Sequence, residues 1–201
     1  MKGNAMKLIE KKLTSELIYD GKIVHLHKDT VELPNGNEAV REVVRHVGAV
    51  GIVPITEDGE VVLVRQYRYP FDKVLTEIPA GKLDSPDEDI VEAARRELLE
   101  ETGITAEILT PIGDLYPSCA ILDEVIHLFV AEGLSYGDST PDDDEFLHII
   151  KVPLIDALFE VMQGKICDAK TQVGILKAVI VTKDQRLEND LEKFINNEVE
   201  L

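Results

Sequence analysis

The chain has little cysteine, and what it has is scattered. Its 201 residues include only Cys119 and Cys167, which stand far apart and outside any Cys-x-x-Cys or Cys/His grouping. This excludes a disulfide framework and gives no sign of a structural zinc site. We therefore expect a protein of the reducing cytoplasm.

Basic residues are also few, because 21 Lys and Arg face 39 Asp and Glu, a net charge of −18. Phosphate backbones and anionic membranes attract basic surfaces, so we expect no nucleic acid and no membrane as partner. Long apolar runs are missing as well. The longest, around residues 49–55, is far below the roughly 20 residues that span a bilayer, and the first residues lack the apolar core of a signal peptide.

The composition is nevertheless that of a folded protein, with 44% hydrophobic and 30% charged residues. The length fits one domain, or one domain with a small extension. Alternating residues from Ile23 to Leu33, followed by Asn35-Gly36, predict a hairpin arm. The apolar runs 49–55 and 60–67, separated by Glu57-Asp58-Gly59, predict a second pair of strands.

Further strand patterns lie near residues 75–78, 108–116 and 125–130. Helical spacing is found over 86–102 and again from Pro153 onward. Strands and helices do not alternate regularly, which favours an α+β fold around a mixed sheet over a doubly wound parallel sheet.

The segment 81–104 carries the strongest chemical signal. Ser85 is suited to cap a helix, with Pro86 at its first position and Glu88 reaching back, and Gly103 is suited to end it. These signals predict a helix of about 17 residues.

Three acidic residues share one face of that helix, because Glu97, Glu100 and Glu101 are spaced by three and four residues. Like charges at this spacing repel, and a bound cation reverses the cost. Mg²⁺ prefers oxygen ligands and keeps part of its water shell, so an open carboxylate cluster on a rigid helix suits it. The alternative, taken from the residues alone, is a solvated acidic helix face.

The surrounding spacing decides between these readings. Gly81 is followed after six residues by Glu88, and after seven more by Arg96-Glu97-Leu98-Leu99-Glu100-Glu101-Thr102-Gly103-Ile104. This resembles the Nudix box, in which glycine and the first glutamate are usually separated by five residues. The extra residue falls within 84–87, before the carboxylates, and leaves their register unchanged.

The resemblance implies a Nudix fold, an α/β/α sandwich around a mixed sheet, and a divalent metal, Mg²⁺ with Mn²⁺ as the alternative. It implies that Glu97, Glu100 and Glu101 are metal ligands, together with the backbone carbonyl of Ala80. Arg96 would orient the glutamates and belong to the catalytic machinery. A plain helix salt bridge from Arg96 to Glu100 is compatible with that role.

Within the family the chain is most similar to the ADP-ribose pyrophosphatase group. The likeness is carried by residues 19–22, 41–46, 64–68, 77–81 and 168–171. It implies an N-terminal β arm, 1–47, that is exchanged in a homodimer, and a hydrolase domain, 48–201.

The same group suggests substrate ligands. Arg68, Arg65 and Arg41 are the candidates for holding phosphates and the adenine side, and Glu77 for binding metal or substrate. Ordinary surface arginines remain the alternative for Arg41 and Arg65.

The group also places catalytic carboxylates in a loop after the box. Pro141-Asp142-Asp143-Asp144-Glu145-Phe146 is the comparable segment, with Glu145 as the first candidate for the base and Asp143 as the second. A merely solvated acidic loop is the alternative.

The resemblance implies hydrolysis of ADP-ribose to AMP and ribose 5-phosphate, or of a related nucleoside diphosphate sugar. Members of the group often carry Ser-Pro-Gly after the box, where this chain has Ser118-Cys119-Ala120. That departure leaves other ADP-sugars and GDP-mannose open. The alternative from a different class is a non-catalytic Nudix-type module that senses ADP-ribose or a nicotinamide nucleotide.

Overall fold

A computed structural model describes residues 8–141 and 145–182. The chain divides into two compact units. The first comprises the residues up to Val47 together with Tyr116–Glu124, and the second comprises Gly48–Leu115 and the residues from Val125 onward. Among the described residues, no helix has the length and apolar character needed to cross a bilayer.

The first unit is an antiparallel sheet in the order β1-β2-β3. Its strands are β1 (Lys11–Asp20), β2 (His25–Glu32) and β3 (Glu38–Arg45). The turn between β2 and β3 contains Gly36 at φ 85°, a conformation that glycine adopts at no steric cost. Every residue of β1 is exposed, so the unit has one long uncovered strand.

The second unit contains two sheets. Its strands are β4 (Ala49–Pro54), β5 (Glu60–Arg68), β6 (Lys73–Glu77), β7 (Ala80–Lys82), β8 (Ile104–Leu115), β9 (Ile126–Tyr136) and β10 (His148–Pro153). One sheet has the order β7-β4-β9-β8 and is mixed, because β4 and β9 run parallel while the other pairs are antiparallel. The other has the order β10-β5-β6 and is antiparallel. The predicted α+β fold around a mixed sheet is confirmed.

The prediction that residues 49–55 and 60–67 form a hairpin is wrong. β4 and β5 follow one another in the chain but belong to different sheets, joined only by a single bridge between Ile55 and Val61. Both strands are almost wholly buried, so their apolar residues do not reveal which neighbour each strand pairs with.

In the described part of the chain, three α-helices cover the sheets: α1 (Ile90–Thr102), α2 (Leu154–Met162) and α3 (Ala169–Val181). Successive residues of β4 point to opposite faces. Ala49 and Val53 belong to a core that includes α2 and α3, while Val50 and Ile52 are fully buried outside that core. Since α1 also contacts β4, both faces of the mixed sheet carry helices.

Helix α1 begins later than the sequence suggested. Asp89, not Ser85, is the N-cap, and its carboxylate accepts hydrogen bonds from the Val91 and Glu92 amides. Glu88 is therefore outside the helix, and α1 has 13 residues, not about 17. Several polar residues precede the helix and each is a competent cap, so the cap pattern alone did not fix the start. Gly103 ends the helix as predicted, at φ 69°.

Candidate active site

The backbone at Ala80 and Gly81 meets two of the box glutamates. The Ala80 amide donates a hydrogen bond of 3.0 Å to Oε2 of Glu101. The Glu97 carboxylate lies against Gly81, where a built Cβ would overlap it. The absence of a side chain at Gly81 therefore allows the Glu97 carboxylate to lie in this position.

Arg96 donates hydrogen bonds to three carboxylates of the box, those of Glu88, Glu97 and Glu100. Its Nη1 donates to Glu97 at 2.7 Å and to Glu100 at 3.1 Å, and its Nε donates to Glu88 at 3.2 Å. Burial alone would lower the pKa of Arg96, but these three carboxylates outweigh it and raise the pKa above its usual value. Arg96 thus orients Glu97 and Glu100 and remains charged while doing so.

The most buried of the three metal-ligand candidates on α1 is Glu101, which is 5% exposed. Burial raises the pKa of Glu101 to about 8, with further contributions from the neighbouring charges of Glu145 and Glu97. Burial likewise raises the pKa of Glu97, against the opposing effect of Arg96. A buried carboxylate crowded by other carboxylates is costly to ionise without a cation.

This donor set fits a divalent metal chemically. Within the part of the chain that the structure describes, no three His, Cys, Asp or Glu side chains already converge as a complete metal cluster. The hydrogen bonds give the reason, since Glu97 and Glu100 turn to Arg96 while Glu101 turns to the Ala80 amide. Small side-chain rotations of oxygen ligands on a rigid helix would complete a site of the kind Mg²⁺ accepts.

A second charged cluster, outside the box, includes Arg68 and Glu77. Both nitrogens of the Arg68 fork bind Glu77, at 2.7 and 2.8 Å, and Lys170 binds the same carboxylate. Burial alone would raise the pKa of Glu77, which is 2% exposed, but Arg68 and Lys170 hold it below its usual value. Both cations also act electrostatically on Glu101, so this cluster adjoins the box.

The other predicted arginines lie apart from these contacts. Arg65 is exposed on β5, in register with Thr76 of β6 and His148 of β10. Arg41 belongs to the first unit, where its side chain binds Glu10 through two hydrogen bonds. Their substrate-binding roles stay predictions.

The loop candidate Glu145 is partly buried and contributes to the electrostatics of Glu97 and Glu101. Asp143 lies outside the described residues. The chain leading to the loop is fastened to the end of α1, since the Gly137 amide donates to the Gly103 carbonyl at 2.7 Å and the Thr140 amide donates to the Glu100 backbone carbonyl at 2.9 Å.

Sequence reasoning gave no role to Lys170, Thr171 or Asp168. Thr171 is completely buried, and its hydroxyl accepts a hydrogen bond of 2.9 Å from the Ile78 amide. A signal was present, because an Asp followed three residues later by Thr before an apolar helical run is typical of a capped helix start. This signal did not indicate that the start of α3 lies close to the box glutamates.

The NUDIX domain model matches residues 45–169, and the model of the nucleoside diphosphate sugar hydrolase N-terminal domain matches residues 10–44. The chain is 43% identical over 170 residues to an ADP-ribose pyrophosphatase of Bacillus subtilis (strain 168), covering 84% of this chain and 91% of that protein.

It is also 42% identical over 168 residues to a methanol dehydrogenase activator of Bacillus methanolicus, covering 83% of this chain and 90% of that protein. A crystal structure of an ADP compounds hydrolase superposes with a TM-score of 0.75 at 26% identity, covering 84% of this chain and 91% of that one. A domain match over more than half of the chain, on the segment that holds the carboxylate helix, shows that this protein belongs to the Nudix family.

Proposed function

We propose that this protein hydrolyses the diphosphate linkage of ADP-ribose, giving AMP and ribose 5-phosphate, or the linkage of a related nucleoside diphosphate sugar. The observation that carries the proposal is the intact carboxylate set of the box, with Glu97 and Glu101 both placed at the Ala80–Gly81 backbone. The similarity to an ADP-ribose pyrophosphatase over 84% of the chain supports the substrate class.

Glu97, Glu100, Glu101 and the Ala80 carbonyl are the proposed metal ligands, and Mg²⁺ is the proposed metal. Bound Mg²⁺ would neutralise the diphosphate and lower the pKa of a water molecule. Arg96 keeps Glu97 and Glu100 oriented from one side of the helix.

Glu145 is the proposed base. Its charge acts on Glu97 and Glu101, which supports a location of its carboxylate close to the proposed ligands. Asp143 is the second candidate for this role. Arg65, Arg68, Arg41 and Glu77 are the proposed substrate ligands, and the pairing of Arg68 with Glu77 sets the orientation of the guanidinium.

The proposal predicts that the purified chain releases AMP from ADP-ribose when Mg²⁺ is present. Product should be followed by chromatography over ADP-ribose, ADP-glucose, GDP-mannose and diadenosine polyphosphates, with a chelator as the matched control. We expect the highest kcat/KM for a nucleoside diphosphate sugar, because its diphosphate and its sugar are both available for recognition.

Two results would contradict this. Turnover that persists in excess chelator would exclude the proposed metal chemistry. Tight binding of ADP-ribose with no product in Mg²⁺ or Mn²⁺ would favour the non-catalytic sensing module, an alternative consistent with a relative named an activator of another enzyme.

We further propose that the active protein is a homodimer formed through the first unit. The exposed strand β1 carries Leu17 at 51% and Ile18 at 50% exposure, and Ile23 follows at 57%. An uncovered edge strand with large apolar residues is a surface that proteins usually bury against another chain. The resemblance to the ADP-ribose pyrophosphatase group, in which an N-terminal strand arm is exchanged in a homodimer, supports a second copy of the chain as the partner.

The double variant Leu17→Glu/Ile18→Glu is expected to convert this dimer to a monomer, because it places two charges on each β1 strand. Light scattering after size exclusion measures the mass directly, against 22.4 kDa for one chain. The control is Ile180→Glu, which changes an 80% exposed residue of α3 and should leave the mass unchanged. A wild-type mass of one chain would refute the dimer.

A further inference from the structure

The segment Glu77–Ala80, from the end of β6 to the start of β7, is held by contacts from β4, α1 and α3, and we call it the strap. The Ile52 amide of β4 donates to its Pro79 carbonyl at 2.9 Å. Glu101 of α1 accepts from its Ala80 amide. The strap therefore connects the sheet directly to a proposed metal ligand.

Helix α3 makes two further contacts with the strap, through Thr171 and Lys170. The hydroxyl of Thr171 accepts from the Ile78 amide at 2.9 Å and donates to Asp168 at 2.6 Å. Because Asp168 takes the hydroxyl proton, the lone pairs of Thr171 are directed at Ile78. Asp168 is itself fixed as the N-cap of α3, accepting from the Thr171 amide at 2.9 Å.

Lys170 makes the second contact, an ion pair with Glu77 of the strap. Its ammonium group, on a side chain that is 13% exposed, lies between Glu77 of the strap and Asp168, which is 3.1 Å away. Two cations, Arg68 and Lys170, balance the two carboxylates of this cluster. Because the Lys170 ammonium group is largely buried and has two anionic partners, it is fixed in position and is not free to bind other groups.

Helix α3 packs closely against the sheet and the strap, so these contacts cannot lengthen easily. A Cβ built on Gly174, one turn after Lys170, would lie 3.0 Å from Val53 of β4 and 3.2 Å from Ile78 of the strap. Helix, sheet and strap are thus in close contact at this point, which is what allows the short Thr171 side chain to reach the strap backbone.

We propose that the first turn of α3, through Thr171 and Lys170, is a positioning element of the metal site. It holds the strap so that the Ala80 peptide meets Glu101, and it touches neither metal nor substrate itself. This inference rests on the proposed function, because it requires the metal site at Glu101 and Ala80. The competing explanation is that these contacts only fasten α3 to the sheet.

The variant Thr171→Val tests the proposal, because valine keeps the shape and removes the acceptor for the Ile78 amide. Mn²⁺ affinity, measured by electron paramagnetic resonance without substrate, should weaken about 10-fold, as is usual when a residue supporting a metal ligand is lost. Thr171→Ser keeps the hydroxyl and should restore wild-type affinity. Turnover of Thr171→Val should recover as Mg²⁺ is raised, with KM for the nucleotide unchanged.

Two further variants separate positioning from stability. Val161→Ala trims a buried residue of α2 that belongs to the core, so it should lower Tm and leave Mn²⁺ affinity unchanged. Lys170→Met should weaken Mn²⁺ binding even if Thr171→Val does not fold. Wild-type affinity in the folded variants would overturn the positioning role, whereas a wild-type protein that binds no Mn²⁺ would overturn the proposed metal site as well.

Discussion

Replacing Glu101 with glutamine is expected to lower kcat about 10²–10³-fold, since a ligand worth several kcal/mol of charge stabilisation is lost. The fold should survive, because glutamine has the same shape and its side-chain oxygen can still accept the Ala80 amide hydrogen bond. Steady-state release of AMP at saturating Mg²⁺ measures the loss.

The same substitution should stabilise the protein when no metal is present, and the gain should grow as pH rises above 4.5. The folded-state pKa of Glu101 is raised from 4.5 to about 8. The folded chain therefore holds a proton that the unfolded chain releases, and the stability of the wild type falls as pH rises through this window. Glutamine does not carry this cost.

At pH 8.5 the gain should reach up to about 5 kcal/mol, because each pKa unit between 4.5 and about 8 corresponds to about 1.4 kcal/mol. For a chain of this size that raises Tm by up to about 10–20 °C. At pH 4 the two proteins should melt alike. Mg²⁺ should stabilise the wild type at pH 8.5 and have little effect on Glu101→Gln.

Glu92→Gln is the matched control, because Glu92 lies on the same helix with its side chain 74% exposed. It should change neither kcat nor the pH dependence of Tm. Near-wild-type turnover of Glu101→Gln with Mg²⁺ would show that Glu101 is not a ligand, and an unchanged Tm at pH 8.5 would show that its carboxylate is not strained by burial.

Gly81→Ala is expected to leave a stable protein with about 100-fold lower kcat. The added methyl group would overlap only the end of the Glu97 side chain, which can rotate away at little cost to folding. The displaced carboxylate would then no longer lie at the Ala80–Gly81 backbone. A shift of about 1 Å in a positioned group can lower a rate by about 10².

A double-mutant cycle identifies the cause. If Gly81→Ala acts by displacing Glu97, then adding it to Glu97→Gln should have little further effect on kcat, because the interaction is already lost. Gly137→Ala is the control, since its Cβ would lie 3.6 Å from the Gly103 carbonyl, an ordinary contact. Additive losses in the double variant would point to a different role for Gly81.

The carboxylate face of α1 could be predicted because helical periodicity alone places Glu97, Glu100 and Glu101 together. The contact between Ala80 and Glu101 could not, since it joins residues 21 apart across two elements whose packing no local pattern encodes. The same limit explains why the sequence wrongly predicts that β4 pairs with β5. A short turn between two buried strands is compatible with a hairpin, and the parallel partner β9 is remote in the chain.

Arg96 shows an intermediate case. Its contact with Glu100 follows from helical spacing. Its contact with Glu97 does not, since adjacent residues of a helix do not face each other, and Glu88, which is also a partner, lies outside the helix. The role of Thr171 was beyond reach for another reason. Its residue type and position indicate a cap, and only the fold shows that the capping hydroxyl also binds the strap.

The fastening of Gly137 and Thr140 to the end of α1 has a consequence for how such an enzyme evolves. The Glu100 carbonyl lies in the last turn of α1, where a helix leaves its acceptors unused. The chain is hydrogen-bonded to α1 at Gly137 and Thr140, before it reaches Glu145. Insertions and deletions after Thr140 would therefore change the position of this candidate base without displacing the glutamates of α1. The length of the loop can therefore change through evolution while the proposed metal ligands on α1 stay in place.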